Sequence, residues 1–488
     1  MTRGTLAFST GFGDVGSDEL VLIEARGHEA MSTIYEYELT IEVHRDGGLA
    51  ATQIDGLLSH TCSIMAVGAG SVEVHGMLRG IRLLTANEAM PVVYKAFFVP
   101  RLWLTTQVFR TRVFQDMNVQ QIVDAVLADH GLQAEWWVTE TYPTNEYTVQ
   151  YEETDFNFIS RLLEHFGIFY FFRQDPDGEA LVIGDTSNAF EPHPDRAVFT
   201  FNPSMGRASV RACVHSISSE VLSQTAGITV REYNWRTPQS SLAAQHEADT
   251  RSGYGVHWRY GEHFKTSDEG TMIARIRSEQ ELNLREVFEG TCSIPALRPG
   301  HKIELSDCPI PDLNITYLIT EVSPIISTSM IGDEFSEAYQ YPFKAVALER
   351  DDPPPVPYRS QLRARKPVIH GFMHGFVDGE AATTAAPIDD KGRYRIVMPM
   401  DSVGQLGGRA TRWIRMMQPS SGANYGMHFP LHMGIEVAII HLDGDPDRPV
   451  IVGSIPNPAT ISPIVQTEAT RSRIRTRSGI ELEFEDDA

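Results

Sequence analysis

Apolar and polar side chains alternate, or apolar ones run together, through most of the first hundred residues: LVLIEARG, YEYELTIEV, SVEVHGMLRGIRLL and VVYKAFFV, with Gly or polar clusters between them. A period of two sets one face of each segment against a core, so these read as short strands of a β-barrel or sandwich. The period then lengthens. In NVQQIVDAVLADHG, Asn118 to Gly131, the residues Val119, Ile122, Val123, Val126 and Leu127 share one helical face. Asn118 suits the N-cap, and Gly131 suits the left-handed position just past the end. TDFNFISRLLEHFGIFYFFRQDPDGEALVIG repeats the plan. Thr154 or Asp155 caps a helix carrying Phe158, Ile159, Leu162, Leu163 and Phe166, Gly167 ends it, and IFYFF is a buried strand. The DPDG turn, Asp175 to Gly178, returns the chain as ALVIG and completes a hairpin.

Residues 205–348 return to strand patterning in SVRACVHSI, ITVREYNW, TCSIPALRPGHKIELS and NITYLITEVSPII. One polar helix interrupts them, SDEGTMIARIRSEQELNLREV, with Ser267 as cap and Met272, Ile276 and Leu282 facing inward. Residues 1–350 therefore read as two β-rich domains with helical insertions. DDPPPVPY, Asp351 to Tyr358, marks the clearest boundary, because consecutive prolines hold an extended conformation and cannot join a sheet ladder. After a linker over 351–367, residues 368–460 hold five strand candidates: VIHGFMHGFV, GRYRIVMPM, TRWIRMMQP, MGIEVAIIHL and PVIVGSI. Five short strands broken by Gly-rich loops fit a small Greek-key barrel of the OB type.

The segment 461–488 ends in strict alternation. Arg471, Arg473, Arg475 and Arg477 share one parity; beyond the Ser478-Gly479 turn, Glu481, Glu483 and Glu485 keep it, while Ile480, Leu482 and Phe484 take the other. Two strands of opposite charge can pair across a sheet. A lone hairpin with an apolar stripe is marginal in water, so Ile480, Leu482 and Phe484 need a partner from elsewhere, such as another chain.

Composition narrows the function classes. The 42% hydrophobic and 22% charged content is that of a globular chain, and at 488 residues there is room for about three domains. No apolar run reaches the ~18 residues a membrane helix needs, and the N-terminus lacks a basic-then-apolar signal, which points to the cytoplasm unless a non-Sec route exports the chain. The net charge of −23 repels phosphate backbones and argues against nucleic-acid binding. It also means that any homo-oligomer must overcome like-charge repulsion through a large apolar contact or local basic patches. Cys62, Cys213, Cys292 and Cys308 form no CxxC pair, so neither a thiolate zinc site nor a disulfide framework is expected.

The candidate chemical sites reduce to structure. In HLDGDPDRPVIVGSIPN, Asp443, Asp445 and Asp447 sit at alternate positions like a calcium loop, but Arg448 and Ser454 stand where an EF-hand wants Gly and Glu. Asp-Gly and Asp-Pro make it a turn between two apolar strands. The pairs His370/His374 and His428/His432 lie in Gly- or Pro-containing stretches rather than on a helix, and HEADT at His246 lacks a second histidine. There is no GxSxG, Walker loop or strand-to-helix GxGxxG. No catalytic, cofactor-binding or metal residue is therefore assigned.

At larger scale the chain resembles the VgrG spike proteins of type VI secretion systems, related to the hub and spike of contractile phage tails. YTVQYEETDFNFISRLLEHFGIFYFF, Tyr147 to Phe172, and FVPRLWLTTQVFRTRVFQDMNVQQIVDAVL are similar to that family's hub. GRYRIVMPM and WIRMMQPSSGANYGMHFPLHMGIEVAIIHLDGDPDRPVIVGSIPN are similar to its spike-base OB domain, and RTRSGIELEFED to the entry into its β-helical needle. The resemblance implies a mainly β fold with α+β insertions: two β-barrel-like hub domains, an OB-fold, and the start of a trimeric β-helix or β-prism. It implies a homotrimer of non-enzymatic chains, with a hexameric tube protein, baseplate components, a tip protein and effectors as partners, and neither cofactor nor nucleic acid. It implies assembly in the bacterial cytoplasm followed by secretion or injection. The family continues into a long needle, whereas this sequence stops at Ala488. Two other readings remain at this stage: a cell-wall hydrolase, which would want a domain inserted between hub and barrel, and an OB-type oligonucleotide binder, which would want exposed aromatics on the barrel strands.

Overall fold

Strand Glu36–Val43 shows the alternation in full: Tyr37, Leu39, Ile41 and Val43 are buried, and the residues between them are half-buried. The computed structural model of the chain describes all residues except 1–4, 16–18, 46, 68–71, 86–90, 204–211, 332–333, 351–354, 381–384, 403 and 487–488. The first half of the proline-rich stretch, 351–354, thus lies outside the described residues, as do the first three positions of SVRACVHSI. The chain divides into two units, one of residues 1–107, 123–143 and 156–364, the other of 108–122, 144–155 and 365–488.

In the first unit, antiparallel strands run in the order Thr5–Thr10, Thr61–Val67, Val72–Thr85, Val92–Val99, Glu36–Val43 and Leu20–Ala30. The first of these returns to touch the last, giving a barrel-like body. Leu20–Ala30 continues through Ile325–Ile331 and Glu334–Glu349 into a second run that includes Thr316–Val322, His301–Ser306, Glu286–Cys292 and Val214–Val221. Its core gathers Phe199, Phe288, Ile303, Leu305, Tyr317, Ile319 and Phe343. The two runs join through Leu20–Ala30, Ile325–Ile331 and Glu334–Glu349 into one continuous sheet of the first unit.

The helices are α1 (Ala51–Ser59), α2 (Val119–Ala128), α3 (Asp155–His165) and α4 (Ser267–Asn283). Asn118 caps α2 reciprocally: its side chain accepts from the Gln121 amide at 3.0 Å, and the Gln121 side chain accepts from the Asn118 amide at 2.9 Å. α2 and α3 end alike. Gly131 at φ +65° and Gly167 at φ +63° close each helix, and the next residue's amide bonds back to Leu127 O (3.0 Å) or Leu163 O (2.9 Å). Phe169–Asp175 then pairs with Gly178–Gly184 across the expected DPDG turn, and Ile168 to Phe172 are all buried. Phe169 and Phe171 pack with Met31, Val182 and Phe190, while Phe172 meets Tyr35 edge-on at 4.9 Å.

α4 departs from its expected reading. Thr266, not Ser267, supplies the capping oxygen, accepting from Glu269 N at 3.2 Å. Moreover, Arg277, Ser278, Glu279, Gln280 and Asn283 are buried together with Ile273 and Ile276, whereas Met272 and Leu282 are only half-buried. Each buried polar group finds partners. Arg277 Nη2 donates to Glu262 at 2.7 Å and Nη1 to His165 O at 2.8 Å; Ser278 bonds Glu247 O at 2.6 Å. Arg359 pairs with Glu279 at 2.6 Å, and Asn283 holds both Arg359 N and Pro357 O. Residues 357–360 are thereby fastened to the first unit. Satisfied buried networks of this kind fix one arrangement, because any unpaired member would be costly.

The second unit is built on a sheet in the order Arg395–Val397, Phe372–Asp378, Glu436–His441 and Pro449–Ser454. Four of the five barrel segments expected from the sequence are therefore strands. TRWIRMMQP forms single bridges instead, Tyr394 to Ile414 and Met416 to Ile451, and these tie the two ends of the sheet together. The core inside is Val377, Tyr394, Ile396, Met398, Ile414, Val437, Ile439 and Ile451.

Candidate oligomer interface

Beyond the barrel, Arg471–Arg475 pairs antiparallel with Glu481–Glu485 in the register Arg471/Glu485, Arg473/Glu483 and Arg475/Glu481. Opposite residues share a face, so each of these three arginines meets a glutamate. Arg473 reaches Glu483 and Glu468, both at 2.7 Å, Arg475 reaches Glu481 at 3.0 Å, and Arg471 reaches Glu485 at 3.3 Å. Those carboxylates hold the Arg473 guanidinium above its ordinary pKa. Gly479 at φ +91° makes the turn, with its amide bonded to Thr476 O at 2.9 Å.

The opposite face of the hairpin is apolar and open. Ile480, Leu482 and Phe484 are 71%, 52% and 59% exposed, and Ile474, opposite Leu482, joins them. Solvent-exposed ion pairs add little stability in water, so the charged face alone does not hold a two-stranded hairpin. Covering the other face would: full burial of a Leu or Phe side chain contributes about 1.5–3 kcal/mol. The surface continues at the barrel. Arg477 Nη1 lies 2.9 Å from His432 Nδ1, in a loop that exposes Tyr425, Met427, Phe429 and Met433. The sequence reading does not single out these five side chains, although the alternation puts Ile474 on the same parity as Ile480, Leu482 and Phe484.

The other residues examined for chemistry hold structure. Asp443 takes φ +57° inside the turn, Asp445 accepts from Asp447 N at 3.0 Å and pairs with Lys366 at 2.8 Å, and Asp447 accepts from Val149 N at 2.7 Å. His428 sits between the Tyr394 hydroxyl and the Gln418 amide, each at 3.0 Å, so it and His432 have separate partners. His370 and His374 are exposed, and His246 lies 2.7 Å from Glu247 O. The four cysteines are buried and unbridged, and burial pushes the Cys292 thiol up to about 12.

Residues 28–329 match the phage tail baseplate hub (GPD) family, which is most of the chain. The chain belongs to that family. Residues 382–455 match the injector OB domain of type VI secretion systems and phage baseplates, a segment that holds three of the four strands of the second unit's sheet, Arg395–Val397, Glu436–His441 and Pro449–Ser454. The chain is 28% identical over 455 residues to the type VI secretion system spike protein VgrG4b of Pseudomonas aeruginosa, covering 90% of this chain and 54% of that protein. To VgrG1a of the same organism it is 28% identical over 482 residues, covering 95% of this chain and 72% of that protein. The chain thus spans about half the length of VgrG4b. A solved Escherichia coli protein, described as a type VI secretion component similar in structure to T4 tail proteins, superposes with a TM-score of 0.66 at 21% identity, over 92% of this chain and 99% of that one. The mainly β hub fold with an OB domain is thereby established.

Proposed function

We propose that this member of the hub family is the trimeric hub and spike base of a contractile injection machine of the type VI secretion class. In this reading residues 1–350 form the hub, 351–367 lead to the OB-fold spike base at 368–460, and 461–488 begin a needle wound from three chains. Its task is mechanical and non-enzymatic: a rigid adaptor between a hexameric tube and a three-chain needle, contacting baseplate components, with a tip protein and effectors beyond it. It would be assembled in the cytoplasm and leave with the machine. Support comes from the family, from relatives named as spike proteins, and above all from the terminal hairpin, whose apolar face is open while Arg471, Arg473 and Arg475 pair with glutamates on the other. A three-fold arrangement gives Ile480, Leu482 and Phe484 equivalent neighbours from the other copies, and apolar burial on that scale offsets the repulsion among three chains of charge −23.

Light scattering on the purified chain tests this. A mass of about 163 kDa, three times 54.5 kDa, is expected, and a monomer mass at micromolar concentration would contradict the trimer.

A further inference from the structure

The small three-stranded sheet of the first unit carries a surface that the hub reading does not use. Gly227–Glu232 lies at its centre, antiparallel to Leu242–Glu247 and parallel to Val256–Tyr260. One face rests on α4. Ile228, Val230 and Leu242 are buried there, and His257 and Arg259 turn the same way to meet Glu281 at 3.3 Å and Glu262 at 2.7 Å. By alternation, Val256, Trp258 and Tyr260 take the opposite face and lie open to solvent. The Trp258 and Tyr260 rings are nearly parallel, 9° apart with centroids at 6.5 Å; Tyr254, two residues before the strand, is 93% exposed, and Tyr233, just past the central strand, is exposed as well. At ~200 Å² per aromatic side chain, the open parts of these four rings amount to on the order of 500 Å². Trp258 and Tyr260, the pair in ring contact, supply on the order of 200 Å² of it, and exposed aromatic area on this scale is a common anchor of protein interfaces.

Val256–Tyr260 is also an edge. Among the described residues it is hydrogen-bonded to one strand only, so the other side of its backbone can accept an added strand. Charge indicates what kind. Of the acids in residues 227–265, Glu232, Asp249 and Glu262 are buried and Glu247 alone is exposed, whereas Arg231, Arg236 and Arg251 are all exposed. The fully exposed charge of residues 227–265 is therefore net positive on a chain of net charge −23, with Arg231 opposite Tyr260 in the sheet register. An acidic partner is attracted here and repelled elsewhere, which focuses its encounter on this edge.

We propose that Val256–Tyr260 is a docking strand for an extended acidic segment of a second protein, bound by strand addition with Trp258 and Tyr260 as apolar anchors and Arg231 as counter-charge. A second copy of this chain fits less well, since two such edges would pair about a two-fold axis that a three-fold assembly lacks. That exclusion rests on the trimer reading; the rest of the argument does not.

The test is a fluorescence-anisotropy titration of the full chain with a dye-labelled decapeptide alternating Glu and Val, beside a Lys-for-Glu peptide and a proline-interrupted one. Saturable, salt-sensitive binding of the Glu peptide is expected, at least tenfold tighter than either control and at least tenfold weaker in Trp258→Ser/Tyr260→Ser. Bound peptide should slow hydrogen exchange at the Val256–Tyr260 amides. Both substituted side chains are open to solvent, so the thermal midpoint should stay in place. Equal binding of the Glu and Lys peptides, unchanged affinity in the double variant, or preferential capture of a single-stranded oligonucleotide would overturn the proposal. Light scattering separates the two readings. Loss of the oligomer in Trp258→Ser/Tyr260→Ser would place this surface between copies and refute the docking strand, while the trimer reading survived. A monomeric wild-type chain that still binds the Glu peptide would do the reverse.

Discussion

Replacing Arg298 by methionine should be among the most destabilising single changes in the first unit. Its guanidinium lies in the body of the fold, with Nη1 2.8 Å from Glu29 Oε1 and Nη2 3.0 Å from Glu73 O, and both charged side chains are buried. Tyr37 donates its hydroxyl to the same Glu29 oxygen. In Arg298→Met the carboxylate stays buried with one neutral donor and no counter-charge. Breaking a buried pair in this way costs about 3–5 kcal/mol, against about 5–15 kcal/mol for the whole stability of a typical domain. At about 2 °C per kcal/mol for a large domain, the thermal midpoint should fall by roughly 6–10 °C. Calorimetry on wild type, Glu29→Met, Arg298→Met and the double variant measures it. The double variant should recover most of the loss, because an apolar pair of similar volume can replace a buried ion pair without penalty. If Arg298→Met costs less than about 1 kcal/mol, or if the two single losses simply add in the double variant, the buried pair does not exist in solution as described.

The two helix-ending glycines separate strain from crowding. Gly131→Ala meets open space and should cost only about 1 kcal/mol for the left-handed backbone, whereas a Cβ on Gly167 would lie 2.7 Å from Ile276 Cγ2 and 3.0 Å from Arg359 Cδ, so Gly167→Ala should cost about 2–4 kcal/mol in urea titration. Asn118→Ala should remove the reciprocal cap of α2 at a cost of about 1 kcal/mol, with Asn118→Asp largely restoring it. Burial, together with the neighbouring His193 and Arg298, lowers the His301 pKa from 6.5 to about 3, so the folded state favours the neutral ring. Its contribution is complete above pH 6.5 and is lost as pH falls toward 3, at about 1.4 kcal/mol per pH unit, or about 2 kcal/mol by pH 5. His301→Leu should flatten the stability–pH curve over that window; an unchanged slope would show that the ring is open to solvent.

What the sequence disclosed, it disclosed through local chemistry. α2 and α3 were legible because five apolar residues on each fall at helical spacing between a polar cap and a glycine, and the DPDG hairpin because its turn is set by four adjacent residues. The barrel strands were legible except TRWIRMMQP, whose role is two bridges to strands on either side of the closure, a property of its partners rather than of its own pattern. α4 was misread for a similar reason. Its polar residues look solvated, but their partners Glu262, His165, Glu247 and Arg359 lie far away in sequence, and pairing across such distances leaves no periodic signal. At the interface, Ile480, Leu482 and Phe484 were legible from parity alone, while the Tyr425–Met433 loop was not, since irregular loops have no period. The V-x-W-x-Y alternation at 256–260 is visible in the sequence, but it is short and its exposure depends on which face α4 covers.

In the proposed trimer the terminal hairpins of three copies cover one another. Electron cryo-microscopy of the purified chain, reconstructed without imposed symmetry, tests it most directly. Three copies about a single axis are expected, with Ile480, Leu482 and Phe484 of each hairpin turned toward that axis and the Arg–Glu rows turned away from it. Single copies, two-fold pairs, or a three-fold particle whose hairpins hold those side chains out to solvent would contradict it.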